Sequence, residues 1–427
     1  MSGFTRPRGT RDFTPEEMAQ RRRCEALMRD TLRSFGYEEV GTPTFEHSEL
    51  FIAKSGPQIL DQLYDFKDKG GRDLVLRPEL TAPVMRMYYS DLKSRPKPLR
   101  VQYFGNCFRY ERPQKGRFRE FWQMGVEYIG KRTGAANAEV INAAAASLDA
   151  VGSKDHVIRI GHVSILGSIL ERWGLKGDRD LMIAIDKKDI RAIKEKLDER
   201  EGKDLLIDMI AVPVDREEAS NVLKDLVRSF PEMGDGPARE LQEVMDLVRS
   251  KMGSVKMDIS ISRGLDYYDG LVFEIDAPSL GAEKQICGGG AYSLSSVFGS
   301  DVEGIGFGLG FDRIMASLEE GSLGGDIEKR IYLLPMGRDQ IEQGTKISSR
   351  IRRAGVTCIM ETSPRPLKKA IHYALSQGCT HLALLGEDEV RRDGLSLKDL
   401  HAKEQEFVPL DMLEDKITMD PNQTSGI

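Results

Sequence analysis

The segment Gly304-Ile305-Gly306-Phe307-Gly308-Leu309-Gly310 has glycine at every even position and a large apolar residue at every odd one. Because successive side chains of a strand point to opposite faces, this period predicts a strand with one bare face. Glycine weakens a strand, so we expect the bare face to permit the close approach of a flat ligand or another backbone. The segment is not the dinucleotide-binding G-x-G-x-x-G motif, because position 311 is Phe. Arg313 follows at a predicted strand-to-helix junction, where its guanidinium could reach the phosphates of a nucleotide.

A long antiparallel hairpin is predicted upstream, because side chains alternate with a period of two from Leu99 onwards. One face of the first strand carries Val101, Tyr103, Gly105, Cys107, Arg109 and Glu111, and one face of the returning strand carries Arg119, Phe121, Gln123, Gly125 and Glu127. The polar loop between them is Arg112-Pro113-Gln114-Lys115-Gly116-Arg117. The basic side chains of this loop and its flanks favour a triphosphate, since the planar fork of arginine suits phosphate oxygens. The alternative is that this face of the hairpin is a solvated outer surface, but Phe121 and the two glycines do not suit such a surface.

The composition indicates a globular protein of two or three domains. The chain has 427 residues, of which 40% are hydrophobic and 30% charged. No apolar run approaches the ~18 residues of a membrane span, and the N-terminus lacks the apolar core of a secretory signal. The five cysteines form no C-x-x-C pair and the six histidines no H-E-x-x-H motif, so we expect no disulfide framework and no structural metal. The net charge of −6 excludes a wholly basic protein but not a nucleic-acid partner, which depends on local patches. We expect a cytoplasmic protein.

The chain divides into parts that differ in pattern. Thr14-Pro15-Glu16-Glu17 predicts a helix start with a capping box, followed by a helix end at Gly36 and a strand over 37–43. Residues 170–255 are rich in charge and predict a helical insertion, with helices at 189–197, 217–230 and 238–252. A glycine-rich linker at 321–325 precedes a separate α/β domain, with parallel strands predicted at 331–335, 356–360 and 381–385. Residues 329–369 hold ten Lys or Arg and three Asp or Glu, which favours a polyanionic partner, with a solvated helix face as the alternative.

Three further segments are candidate binding loops. Residues 262–269 place one arginine and paired tyrosines beside a turn, an arrangement that can hold a carboxylate and a ring. Residues 77–83 display Glu79 and Thr81 on a loop that two prolines make rigid. Residues 287–292 are a second glycine cluster, for which a simple turn is the alternative.

Together these segments resemble the class II aminoacyl-tRNA synthetases, and specifically the histidyl-tRNA synthetase family. Residues 14–43 are similar to motif 1, residues 108–121 to motif 2 and residues 306–313 to motif 3. Arg263-Gly264-Leu265-Asp266-Tyr267-Tyr268 narrows the resemblance to histidine, and the segment from Glu111 to Arg117 supports it. The resemblance implies an α+β catalytic domain over residues 1–325, an antiparallel sheet flanked by helices and interrupted by the helical insertion at 170–255. It also implies an α/β anticodon-binding domain over residues 326–427.

The activity implied by the resemblance is a two-step ligation with ATP and Mg²⁺. L-Histidine would form histidyl-adenylate and then pass to the 3′ end of tRNA-His. Arg109 and Arg263 are the implied catalytic residues, on opposite sides of the α-phosphate. The implied ATP-binding residues are Arg109, Glu111, Arg117, Phe121 and Arg313. The implied histidine-binding residues are Glu79, Thr81, Gln123, Glu127, Arg263, Tyr268 and Tyr292. Gln114, Lys115 and Arg119 would face the acceptor end of the tRNA.

The chain departs from the family pattern at one point, and three other readings are open. Many relatives have Gly-Gly-Arg-Tyr where this chain has Gly289-Gly290-Ala291-Tyr292. One alternative is a catalytically inactive paralogue that acts as a regulatory subunit in histidine biosynthesis, a type that typically lacks the anticodon domain. The others are a sister enzyme for proline, threonine or glycine, and an RNA-binding module without activity. The resemblance further implies a homodimer whose interface motif 1 would supply.

Overall fold

The computed structural model describes residues 3–111, 117–198, 200–261, 268–293, 302–323, 329–363 and 365–418. The chain forms two compact units, Met1–Leu323 and Gly324–Ile427. The described strands of the first unit are β1 (Glu38–Glu39), β2 (Phe45–His47), β3 (Tyr64–Lys67), β4 (Asp73–Leu76), β5 (Leu99–Phe108), β6 (Glu120–Ile129), β7 (Val157–His162), β8 (Val214–Asp215), β9 (Ser254–Met257), β10 (Tyr268–Asp276), β11 (Gln285–Ser293) and β12 (Glu303–Gly310). Its described helices are α1 (Pro15–Ser34), α2 (Ser48–Ser55), α3 (Thr81–Met87), α4 (Gly134–Ala150), α5 (Val163–Arg172), α6 (Arg179–Asp186), α7 (Ile190–Leu197), α8 (Lys203–Ala211), α9 (Arg216–Ser229), α10 (Gly236–Leu247) and α11 (Phe311–Ser317).

The main sheet of the first unit has nine strands, in the order β1-β5-β6-β12-β11-β10-β7-β9-β8. Every neighbouring pair from β5 to β7 is antiparallel, while β1 pairs with β5 and β7 with β9 in parallel. The predicted antiparallel sheet is therefore confirmed in its centre. The glycine-rich segment forms an inner strand, β12, between β6 and β11. A smaller sheet, in the order β2-β4-β3, lies in the same unit.

The predicted hairpin is confirmed as β5 and β6. Their register pairs Gly105 with Gln123 and Val101 with Glu127. Directly opposite residues of an antiparallel pair share a face, so the side chains expected on one surface do lie together. Gly306 of β12 pairs with Glu127 and extends this surface across the next strand.

The first helix is confirmed, but the strand predicted to follow it is shorter than expected. The Glu17 N–H donates to Oγ1 of Thr14 at 3.3 Å, and the Thr14 N–H donates to Oε2 of Glu17 at 2.7 Å, which completes the capping box. Only two residues, not 37–43, form β1. The carbonyl oxygens of Thr42 and Pro43 accept from the Arg77 guanidinium at 2.7 and 3.2 Å. This side chain therefore provides the donors that the backbone of a neighbouring strand would otherwise provide.

Between α5 and β9 the structure has the three predicted helices, as α7, α9 and α10, together with α6, α8 and the short strand β8. The third helix was predicted to reach 252 but ends at Leu247. Leu181, Leu206 and Leu226 from the helices of this segment are buried in one cluster with Ile160 of β7 and Phe273 of β10. The segment therefore packs into the core of the main sheet.

The second unit has the parallel strands predicted for it. Its described elements are β13 (Arg330–Pro335), α12 (Ile341–Arg353), β14 (Thr357–Met360), α13 (Leu367–Ser376), β15 (His381–Leu385), α14 (Glu387–Arg391), β16 (Gly394–Asp399), β17 (Gln405–Pro409) and α15 (Leu413–Thr418). The sheet order is β14-β13-β15-β16-β17, and β14 and β15 both pair with β13 in parallel. Ile331 and Leu333 of β13 pack with Ile347 of α12, whereas Tyr332 packs with Ala370 of α13. The sheet thus lies between helices, as an α/β domain requires. The antiparallel strands β16 and β17 were not predicted.

Candidate active site

Two adjoining cavities open on the face of the main sheet formed by β5, β6, β12 and β11. The smaller, of about 310 Å³, is called the nucleotide cavity below, and the larger, of about 760 Å³, the amino-acid cavity. They share walls at Arg109, Glu111, Arg117 and Gln123. The predicted site residues that line one cavity or both are Glu79, Thr81, Arg109, Glu111, Arg117, Phe121, Gln123, Glu127, Tyr268, Tyr292 and Arg313. Residues that are up to 234 positions apart in the sequence therefore meet at one site.

The nucleotide cavity combines arginines with an aromatic face. The Arg109 guanidinium lies 5.2 Å from the centroid of the Phe121 ring, and its Nε donates to the Pro78 carbonyl oxygen at 3.0 Å. Arg117, which is 43% exposed, lies 3.3 Å from Oε2 of Glu111. Nη1 of Arg313 donates to the carbonyl oxygen of Gln285 at 2.6 Å on the opposite wall. Converging guanidinium groups of this kind are suited to a polyphosphate.

Asp312, the residue before Arg313, holds this wall in place and was missed as a supporting residue by sequence reasoning. Its buried carboxylate accepts from Arg11 at 2.6 Å, from Arg21 at 2.7 Å and from the Trp122 backbone N–H at 2.6 Å. The contacts join the N-terminal segment, α1 and β6 to the start of α11. Only the three-dimensional fold brings these residues together, because the arginines lie about 300 positions upstream of the aspartate.

The amino-acid cavity is built around the buried carboxyl group of Glu127. Its Oε2 accepts from the Tyr292 hydroxyl at 2.7 Å, and its Oε1 accepts from the Tyr103 hydroxyl at 3.2 Å. Burial raises the pKa of Glu127 from 4.5 to about 7, against the hydrogen bond from Tyr292 and the charge of Lys54, which both lower it. A buried acceptor held between two hydroxyl groups can receive a hydrogen bond from a polar ligand. Tyr103 was not predicted as a site residue.

The glycines of β12 make room for polar side chains of the neighbouring strand. A Cβ at Gly306 would overlap the Glu127 carboxylate and lie 2.6 Å from the Val126 carbonyl oxygen. A Cβ at Gly308 would lie 2.5 Å from Nε2 of Gln123. The bare face predicted from the sequence is therefore covered in part by site side chains as well as by backbone.

The loop at 77–83 brings a carboxylate to the amino-acid cavity, where it pairs with a lysine of α2. Glu79 accepts from the backbone N–H groups of Thr81 at 2.8 Å and Ala82 at 3.1 Å, which caps the start of α3. Its Oε2 also lies 3.2 Å from Nζ of Lys54 on α2. Lys54 was missed by sequence reasoning, because no motif or spacing marks it.

Four predicted site residues do not line these cavities or are not described. Arg119 is half-buried: its guanidinium lies over the Tyr110 ring at 4.2 Å and donates to the Glu111 carbonyl oxygen at 3.1 Å. Arg263, Gln114 and Lys115 lie outside the described residues. The roles assigned to these four residues, like those of the residues that line the cavities, stay predictions.

The described residues provide no cluster of three or more His, Cys, Asp or Glu side chains arranged for a metal ion. Two carboxylates that line the cavities are paired with cations, Glu111 with Arg117 and Glu274 with Arg159. Over the same residues, no helix has the length and apolar character needed to cross a membrane.

Known proteins match this chain over nearly its whole length. The family model described as histidyl-tRNA synthetase matches residues 9–314, and the model described as anticodon binding domain matches residues 330–419. The histidine–tRNA ligase of Archaeoglobus fulgidus is 43% identical over 406 residues, which cover 94% of this chain and 97% of the relative. That of Methanocaldococcus jannaschii is 41% identical over 419 residues, which cover 96% and 98%.

The fold is also similar to solved structures. The crystal structure of histidyl-tRNA synthetase from Nostoc sp. PCC 7120 matches with a TM-score of 0.83 at 24% identity, and the match covers 98% of this chain and 99% of that one. The S. aureus histidyl-tRNA synthetase matches with a TM-score of 0.73 at 25% identity, over 97% and 100%. The chain belongs to the histidyl-tRNA synthetase family of class II aminoacyl-tRNA synthetases.

Proposed function

We propose that the chain is a histidine–tRNA ligase, which activates L-histidine with ATP and transfers the histidyl group to the 3′ end of tRNA-His. The observation that carries this proposal is the meeting of the two cavities at Arg109. One cavity has arginines and an aromatic face for ATP, and the other has a buried acceptor for a polar side chain. A carboxylate at the junction would lie where it can attack the α-phosphorus of ATP. The histidine–tRNA ligases named above support this assignment.

In the first step the protein positions two anions and neutralises their charge. Arg109 would contact the α-phosphate and the substrate carboxylate together, since it borders both cavities. Arg117 and Arg313 would bind the γ-phosphate of a bent ATP. Phe121 would stack on the adenine ring, and Glu111 would accept from its amino group. Arg263 is proposed for the other side of the α-phosphate. Mg²⁺ would enter with ATP, and we assign no step to it.

Histidine would be selected by hydrogen bonding. A neutral imidazole has one donor and one acceptor. The buried Glu127 carboxylate would accept from the ring N–H, with Tyr268 on the other side of the ring and Tyr292 behind Glu127. Glu79, Thr81 and Gln123 would hold the α-ammonium group. An amino acid without the ring N–H would leave the buried Glu127 carboxylate without this hydrogen bond, and such sites reject analogues strongly.

For the second step we propose that the chain has the two domains predicted from the sequence. Residues 1–325 form the catalytic domain with its insertion at 170–255, and residues 326–427 form the anticodon-binding domain. Gln114, Lys115 and Arg119 would contact the acceptor end of tRNA. A homodimer through motif 1 and a cytoplasmic location are part of the same proposal.

The test of the activity is ATP–pyrophosphate exchange with each of the twenty amino acids, followed by histidine transfer to tRNA-His. Exchange with histidine alone, with transfer, is the expected result. Exchange with another amino acid would overturn the histidine assignment. Folded protein without any exchange would favour the regulatory paralogue, which no observation favours at present.

Arg313 offers a test of the nucleotide cavity. We expect Arg313→Ala to lower kcat/KM for ATP by about 100-fold, the loss typical of one preorganised donor to a transition-state anion. Arg191→Ala is the matched control, because the Arg191 side chain is 91% exposed on α7. Equal activity of the two variants would contradict the role given to Arg313.

A further inference from the structure

Lys54 is a lysine placed inside the amino-acid cavity without a role in the assignments above. Its side chain is only 7% exposed, and its ammonium lies 3.2 Å from Oε2 of Glu79. The same cavity wall carries Glu127 and Tyr268. Lysine side chains are rarely buried unless they are paired, so the ion pair explains why this one is tolerated. Because Lys54 lines the cavity proposed for the substrate, it is also placed to act on substrate binding.

The charges around the cavity give Lys54 a specific task. Two carboxylates, Glu79 and Glu127, border the space proposed for the substrate, and Arg109 faces the carboxylate end. With Lys54 in place, one carboxylate is balanced and a single negative charge remains when Glu127 is ionised. That charge matches the α-ammonium of a histidine whose imidazole is neutral. Without Lys54 the same space would hold two negative charges and would match a histidine that carries an additional proton.

We infer that Lys54 is a positioning and specificity-determining residue of the amino-acid cavity. It holds the Glu79 carboxylate in the orientation that receives the substrate ammonium, and it sets the charge of the cavity so that histidine binds with a neutral imidazole. This inference rests on the proposed function and deepens it.

Other charged groups around α2 are engaged elsewhere or exposed. On β2, Glu46 is paired with Arg86 of α3 at 2.6 Å, and His47 is exposed. On β4, Asp73 lies 2.6 Å from Lys67. Glu49 on α2 and Asp61 after it are both exposed. The other described titratable or charged side chains that line the cavity are Arg109, Glu111, Arg117, Tyr268, Glu274 and Tyr292, and Tyr103 contacts Glu127 from behind. The Lys54 ammonium is thus paired with Glu79, and its charge also acts on Glu127, whose pKa it lowers.

The experiment measures KM for histidine and kcat in ATP–pyrophosphate exchange, at about pH 6 and about pH 8.5, for Lys54→Met and Lys54→Arg in the full chain. Losing one partner of a buried charge pair typically costs about 2 kcal/mol or more, so we expect the KM of Lys54→Met to rise about 30-fold at the higher pH. The rise should shrink to about threefold at the lower pH for two reasons. Glu127, whose pKa burial raises to about 7, is then largely protonated, and histidine carries a proton on its imidazole, whose usual pKa is about 6.5. We expect kcat to change by less than KM, and Lys54→Arg to retain the wild-type pH profile.

The control is Lys67→Met, which removes a lysine that is 66% exposed and paired with Asp73. Thermal unfolding of each variant shows whether it is folded, and Lys54→Gln replaces Lys54→Met if the latter is not. An unchanged KM, an equal loss at both pH values, or a failure of Lys54→Arg to restore binding would overturn the inference alone. A wild-type chain without histidine-dependent exchange would overturn the proposed function, and the inference with it.

Discussion

Replacing Glu127 by Gln isolates the charge of the buried carboxylate while keeping its shape. The amide can keep the contacts of the native side chain: its oxygen can accept from Tyr292, and its NH₂ group can donate to the Tyr103 oxygen. In the variant the Tyr103 hydroxyl can instead donate to the Phe307 carbonyl oxygen, which lies 3.2 Å away. The substitution therefore removes a buried charge while both tyrosine hydroxyl groups keep a hydrogen-bond partner.

The magnitude follows from the pKa of Glu127, which burial raises from 4.5 to about 7. The folded chain binds the proton more tightly than the unfolded one, so the wild-type stability is fully present below pH 4.5 and declines as the pH rises through about 7. At about 1.36 kcal/mol for each pH unit, the ionised carboxylate destabilises the fold by about 3 kcal/mol above that range. Glu127→Gln should be more stable than the wild type by this order of magnitude at about pH 8.5, and the difference should shrink to about 1 kcal/mol or less at about pH 5.

The assay is urea-induced unfolding followed by tryptophan fluorescence. Both tryptophans of the chain, Trp122 and Trp173, lie in the first unit, so their emission reports the unit that contains Glu127. Glu171→Gln is the matched control, because the Glu171 side chain is 64% exposed. No stabilisation at about pH 8.5, or a difference independent of pH, would refute the reasoning. Glu127→Gln should also raise KM for histidine. The carboxylate that destabilises the fold would then be the group that binds the imidazole.

Two further substitutions test the packing that supports the site. Gly306→Ala should lower the free energy of unfolding by about 1–3 kcal/mol, the usual effect of overpacking, and should raise KM for histidine because its Cβ overlaps the Glu127 carboxylate. Gly41→Ala, whose Cβ would meet nothing within 4 Å, is the control for urea unfolding and exchange kinetics, and equal behaviour of the two would contradict the steric argument. Asp312→Asn should cost about 3–5 kcal/mol, because it leaves buried arginine charge without its carboxylate. The exposed ion-pair variant Asp30→Asn should change stability by less than about 1 kcal/mol, and a similar loss in both would show that burial does not decide the effect.

Elements that depend on near neighbours in the chain were predictable. The capping box of Thr14 and Glu17 is completed within four residues, and the hairpin β5–β6 follows from a period of two on each side of a short loop. The side chains placed on one face by that period, Gln123 and Glu127 among them, do line the site. Sequence reasoning was less successful at 37–43, because the Arg77 guanidinium, more than 30 positions away, takes the carbonyl groups that a strand would have used.

The sequence by itself determined the local period, the helix starts and the residue types able to hold a polyphosphate and an imidazole. Tertiary structure alone decided which of them act together. Hydrogen bonds and ion pairs between distant segments, such as Tyr292 with Glu127 and Lys54 with Glu79, depend on the order of strands in the sheet, which no local pattern encodes. The pKa of Glu127 has the same origin, because desolvation is a property of the assembled core and not of the residue or its neighbours in the chain.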